Sequence, residues 1–225
     1  MADSPRPRRR TKERILESAL AMYNRFGEPN VSINAVAGDM RISPGNLYYH
    51  YPSKDSVTQA LVEQHAQALS DLLEAGADVH DVEAAWFFLH TLFERVWHTR
   101  FVYRDQNDLL TKSLALEALV KHMLEAKIEA LAQMLSALQA HGWIAQGSTP
   151  LSQLAQNMAL VINYWLSFAY VRDPRQALEP ASEQTAVLTG ALHTLGMLLP
   201  YLTPVAQAHL QSLMQHYQAD SVSAP

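Results

Sequence analysis

Cysteine is absent from the 225-residue chain, which excludes disulfides, thiolate metal sites and cysteine nucleophiles and suits a reducing compartment such as the cytoplasm. Charged residues are sparse at 17% against 48% apolar residues, so a disordered chain kept open by charge is excluded. Long apolar runs are missing too. The most apolar stretch, Met158 to Val171, contains Asn163 and falls short of the ~20 residues needed to span a bilayer. No apolar segment follows the basic N-terminus, which therefore does not read as an export signal. There is no phosphate loop, no Gly-x-Ser-x-Gly elbow and no paired-His metal helix, and His209 and His216 lie too far apart for a simple chelate. The expectation is a soluble, cytoplasmic chain with no membrane association, no catalytic residues, no metal ligands and no tightly held cofactor.

Strand-like alternation is lacking as well, and apolar residues recur at spacings of three and four, so the chain reads all-α. Net charge is −5, unevenly spread: residues 1–60 hold nine Lys/Arg against six Asp/Glu, and 61–225 hold eight against sixteen. Six of the early cations, Arg6, Arg8, Arg9, Arg10, Lys12 and Arg14, form one patch suited to phosphate. A solvated tail would have the same composition.

A first helix is expected over 11–26, with Ile15, Leu16, Ala19, Leu20, Tyr23 and Phe26 on one face and Gly27 and Pro29 ending it. Ser32 is placed to cap a short second helix to about Met40, with Val31 and Val36 as a hydrophobic staple. Ser43 then caps a third, with Pro44 at its first position and Pro52 beyond its end, and Ser53 caps a fourth running to about residue 75. Further helices are expected over about 82–99, 107–110, 116–141, 151–170, 182–199 and 204–218, separated by Gly and Pro clusters.

Two short helices joined by a tight turn suggest a helix-turn-helix. The run Ile42-Ser43-Pro44-Gly45-Asn46-Leu47-Tyr48-Tyr49-His50-Tyr51-Pro52-Ser53-Lys54 resembles the recognition-helix signature of the TetR family of bacterial transcriptional regulators, over about residues 11–57. The resemblance implies a DNA-binding domain with a basic N-terminal arm over 1–55 and a helical ligand-binding and dimerisation domain over 56–225. It also implies a ligand-released repressor that binds a palindromic double-stranded DNA operator as a homodimer. A helical interaction module without DNA binding is the alternative, and an enzyme the least favoured reading.

On this reading Ser43, Pro44, Gly45 and Asn46 open the recognition helix at the base edges, and Tyr48 and Tyr49 touch phosphate and thymine methyls. Ser32, His50 and Lys54 hold phosphates, the last beside a helix N-terminus. Arg8, Arg9 and Arg10 form the arm on phosphate or in the minor groove. Arg41 stands where the family usually has glycine, which predicts a left-handed, strained backbone and suggests a phosphate contact as the compensating gain. Leu47, Ile33, Val36, Ala37 and Ile42 are core.

In the body, Trp86, His90, Phe93 and Trp97 share a helix face and, with Phe101, can wall an apolar cavity, His90 serving as a polar marker. Arg104 and Asn107 can orient a polar ligand group, although a salt bridge to Asp105 or Asp108 explains Arg104 equally well. Asn163 and Tyr164 interrupt apolar faces and are added as ligand candidates; ordinary core is the competing reading for every aromatic. The helices near 151–170 and 182–199, through Met158, Ile162, Leu166, Leu188, Ala191, Leu195 and Leu198, are expected at the dimer interface. The runs Gly27 to Ser32, SPGNLYYHY and FVYRDQNDLL are also similar to regulators of polyhydroxyalkanoate storage genes, which implies a small hydrophobic or amphipathic effector, acyl-CoA-like.

Overall fold

Pro7, fixed at a helical φ and lacking an amide to lose, begins α1 (Pro7–Phe26) in a computed structural model that describes residues 7–145, 147 and 150–222. Side chains 7–9, 216 and 218–222 lie outside the description, as does Arg6. Eleven α-helices and no strand occur among the described residues, and the extended pairing there is an isolated bridge between Ile144 and Leu202. None of these helices is long and apolar enough to cross a membrane. The chain divides into two compact units, 1–66 with 99–120 and 67–98 with 121–225.

The first unit contains α1, α2 (Ile33–Asp39), α3 (Pro44–His50), the start of α4 (Lys54–Leu73), α6 (Arg100–Arg104), α7 (Gln106–Lys112) and the start of α8 (Leu114–Ala140). Gly27, at φ 89, turns the chain out of α1. Ile15, Ala19, Tyr23, Val36, Ala37 and Leu47 are buried, and α2 packs on α1 and α3 on α2 as their apolar spacing requires. Phe26 departs from its expected place: it is half exposed, because α1 ends there and the helical stripe no longer faces the core.

This unit does not stop near residue 55. Arg104 donates to the carbonyls of Tyr23 (2.7 Å) and Asn24 (3.4 Å), capping the last turn of α1, where carbonyls lack helical partners. The Phe101 amide donates to Asn24 Oδ1 at 3.1 Å, and the Phe101 ring meets Tyr23 edge-on with centroids 5.4 Å apart. Helix α6 itself was not expected from the spacing. Five residues are too few to show a period, and a run of buried Arg, Phe, Val and Tyr gives no capping signal.

The second unit comprises the rest of α4, α5 (Val82–His98), most of α8, α9 (Leu151–Arg172), α10 (Glu183–Gly196) and α11 (Pro204–Val222). Helix α10 approaches α5 closely at Gly190, where an added Cβ would overlap Phe93 Cε1 and stand 2.8 Å from Trp165 Cδ1. The Trp165 indole N–H donates to the Ala186 carbonyl at 2.9 Å, satisfying the polar end of a buried ring. Met158, Ile162, Leu166, Leu188, Ala191, Leu195 and Leu198 are buried within this unit.

Candidate functional site

Two serines start the helices of the recognition pair. Ser32 Oγ accepts from the Ala35 amide at 3.1 Å and Ser43 Oγ from the Asn46 amide at 3.2 Å, each satisfying one amide that the helix leaves without a partner. Between them the chain turns through Arg41 at φ 56, the one non-glycine positive φ among the described residues. The Arg41 amide bonds the Gly38 carbonyl and the Ile42 amide bonds the Ala37 carbonyl, a Schellman closure of α2. The left-handed backbone expected at this position is therefore present, and on an arginine it carries strain of about 1–2 kcal/mol relative to a right-handed residue.

The closure presents the face of α3 outward. Ser43, Pro44, Gly45 and Asn46 are exposed, as are Tyr48 (44%) and Tyr49 (63%), while Leu47 between them is fully buried. A Cβ on Gly45 would meet nothing within 4 Å, and its φ is not positive, so neither packing nor backbone demands glycine there. His50 is half-buried against the Tyr49 ring, and Tyr51 is buried with Lys12 over its face. Arg8, Arg9 and Arg10 occupy the first turns of α1 rather than an extended arm, because Pro7 starts the helix ahead of them.

Lys54 takes a different place from that expected. Its ammonium donates to the Glu28 carbonyl at 2.6 Å and lies 3.5 Å from the Glu28 carboxylate. Glu28 is completely buried, and its carboxylate also accepts from Thr58 at 2.9 Å and from Lys112 of α7 at 2.5 Å. Burial works against the charge on Lys112, but the hydrogen bond and charge of Glu28, helped by Asp108, outweigh it and raise the ammonium above its ordinary value. Burial raises the Tyr23 phenol to about 12.

The ligand candidates divide between the units. Trp86, Phe93 and Trp97 are buried in the second; Trp86 stacks on Tyr217 of α11 at 4.1 Å, with the His90 ring 5.5 Å away. His90 faces Glu94 at 3.6 Å through Nε2, and its buried Nδ1 has no partner among the described residues. Phe101 and Arg104 belong to the first unit, where they hold α1, with the Arg104 guanidinium also paired to Asp105 at 3.0 Å; Asn107 is exposed there. Asn163 is buried and accepts a 2.6 Å hydrogen bond from Lys127. Burial pushes the Lys127 ammonium down from 10.5 to about 7. Tyr164 lies on an outer face of α9 with Leu160, Phe168 and Val171, all at least 44% exposed. A cavity of about 330 Å³ between the end of α9 and the start of α10 is lined by Trp165, Phe168, Arg172 and Thr185 and by none of the ligand candidates.

Three residues that carry this geometry were not singled out from the sequence. Lys127 had a local signal: it sits four residues from buried Met123 and Leu131 in the apolar rows of α8. Glu28 and Lys112 had none, since they are 84 residues apart and each is an ordinary charged residue in its own segment.

Residues 64–210 match the sequence profile of the TetR family, described as a bacterial transcriptional repressor. The chain belongs to the TetR family. A TetR-family transcriptional regulator from Marinobacter aquaeolei VT8 superimposes with a TM-score of 0.77 and 26% identity, covering 92% of this chain and 98% of that one. A putative transcriptional regulator from Saccharomonospora viridis, in complex with choline, shares the fold at TM-score 0.65 and 19% identity, covering 84% and 96%. The HTH-type transcriptional regulator UidR of Escherichia coli K12 is 34% identical over 74 residues, 32% of this TetR-family chain and 38% of UidR.

Proposed function

We propose that the protein is a sequence-specific DNA-binding transcriptional regulator, a repressor released by a small effector and active as a homodimer. One observation carries this reading. A short helix pair closed at Arg41 presents Ser43, Pro44, Gly45, Asn46, Tyr48 and Tyr49 together on an exposed face over a buried Leu47. The polar side chains of Ser43 and Asn46 suit base readout, and the phenols of Tyr48 and Tyr49 suit phosphates and thymine methyls. Gly45, demanded by nothing inside the protein, lets backbone approach a groove. His50, Ser32, Arg41 and the Arg8, Arg9 and Arg10 cluster supply further phosphate contacts.

One such helix reads too few bases for useful selectivity, and pairing two copies answers that need. Leu160, Tyr164, Phe168 and Val171 form the apolar face through which α9 and α10 meet a second copy. That face differs from the residues anticipated from sequence, which fill the unit's own core. The effector site is assigned to the second unit, around Trp86, His90, Phe93 and Trp97, with Asn163 and Lys127 as polar groups for an amphipathic, acyl-like ligand. Phe101, Arg104 and Asn107 are left out of it, the first two being committed to α1.

The protein acts without catalysis and in the cytoplasm on this reading. A gel-shift assay with DNA upstream of its own and neighbouring genes tests it. A sequence-specific complex that weakens with salt is expected, and its absence across those promoters contradicts the proposal.

A further inference from the structure

Glu28 lies in the short turn ahead of α2, and Lys54 is the first residue of α4, beyond the end of α3, so their contact joins the segments that flank the recognition pair. Lys54 Nζ donates to the Glu28 carbonyl at 2.6 Å, and the fully buried Glu28 carboxylate gathers Lys54, Thr58 and Lys112. The Glu28 amide donates to Asp105 Oδ2 at 2.8 Å, and Asp105 is held by Arg104, which caps α1. Lys112 also faces Asp108 at 3.4 Å. Glu28, Asp105 and Asp108 thus meet Lys54, Lys112 and Arg104, three charges of each sign, around the segment that enters α2. A buried carboxylate in such a set is tolerated only while its partners stay in place.

We propose that Glu28, Lys54 and Lys112 form a clasp that positions the recognition pair, so that Lys112 of α7 governs operator affinity without touching DNA. The inference rests on the DNA-binding reading above. Residues 99–112, which follow α5 in the chain, become a brace of the DNA-binding unit. Lys54 acts through Glu28 rather than on a phosphate. Loss of Lys112 leaves Glu28 with too little positive charge, loosens both ends of the pair, and transfers the cost of ordering it to the moment of binding.

The test uses the full chain and an operator selected from random duplex DNA, with affinity measured across a salt series and folding checked by thermal melting. Lys112→Met is expected to bind at least tenfold more weakly with an unchanged salt slope, and Lys112→Arg to bind within about twofold of wild type. Glu28→Gln and Lys112→Gln are each expected to weaken binding, and together to weaken it no further than the worse of the two, because both act through one clasp. The double variant removes one charge of each sign from the set and keeps the test open should Lys112→Met fail to fold. Lys54→Met is expected to leave the salt slope unchanged. Wild-type affinity in Lys112→Met, additive losses in the double variant, or a slope reduced by about one in the lysine variants overturns the clasp. A wild-type chain that selects no DNA overturns instead the DNA-binding reading beneath it.

Discussion

Arg41 holds a left-handed backbone, φ 56, in the turn that aims the recognition helix. Glycine there is expected to raise the melting temperature, since about 1 kcal/mol of strain disappears. Arg41→Ala keeps the strain and loses the guanidinium. Should Arg41 meet a phosphate, both variants lose affinity and about one unit of salt slope; full affinity and an unchanged slope in Arg41→Gly rule the contact out. Lys127 tests the second unit in the same way. Unfolded, its ammonium keeps its proton up to about pH 10.5, while in the fold burial lowers that point to about 7. Between those values the unfolded state binds more protons, so stability rises with pH across the window, and below pH 7 the burial cost is present in full. Lys127→Met should therefore raise the melting temperature at pH 7 by roughly 2–4 °C or more, with the gain shrinking towards pH 10. A gain independent of pH contradicts a titrating buried ammonium.

At the level of elements, Gly190 sets how closely α10 lies on α5. Gly190→Ala drives a methyl into Phe93 and Trp165, and is expected to destabilise the chain by about 1–3 kcal/mol in urea unfolding. A neutral result means that the two rings have room to move. The helices that begin with a serine cap or proline and carry long apolar periods were legible in the sequence: α2 and α3 start at the residues that Ser32 and Ser43 predicted. Arg41 was legible as a departure, because a side chain stood where only glycine is free of strain. Helix α6, the inward turn of Lys54 and the burial of Glu28 were not. Each depends on a partner far along the chain, and a lysine bound for a buried carboxylate has the same local signature as one bound for phosphate. The outer face of α9 was misread for a related reason. Apolar residues cover most of its circumference, so periodicity alone does not tell the side that meets α10 from the side carrying Leu160, Tyr164 and Phe168.

For the whole molecule, that face predicts a dimer. Leu160→Asp with Phe168→Asp is expected to shift the species seen by light scattering from dimer to monomer and to weaken operator binding by at least tenfold, while each chain stays folded. A variant that remains dimeric places the interface elsewhere. The net charge of −5 makes the whole chain a poor general ligand for DNA, so binding must come from the local cationic and polar surface of the first unit. The most direct measurement is affinity for a selected operator and for a scrambled duplex of equal length, across salt from about 50 to 200 mM. The expected result is a dimer that prefers the operator by about 10³-fold or more and loses affinity steeply and linearly on a log–log plot. Equal affinity for both duplexes, or binding indifferent to salt, contradicts it.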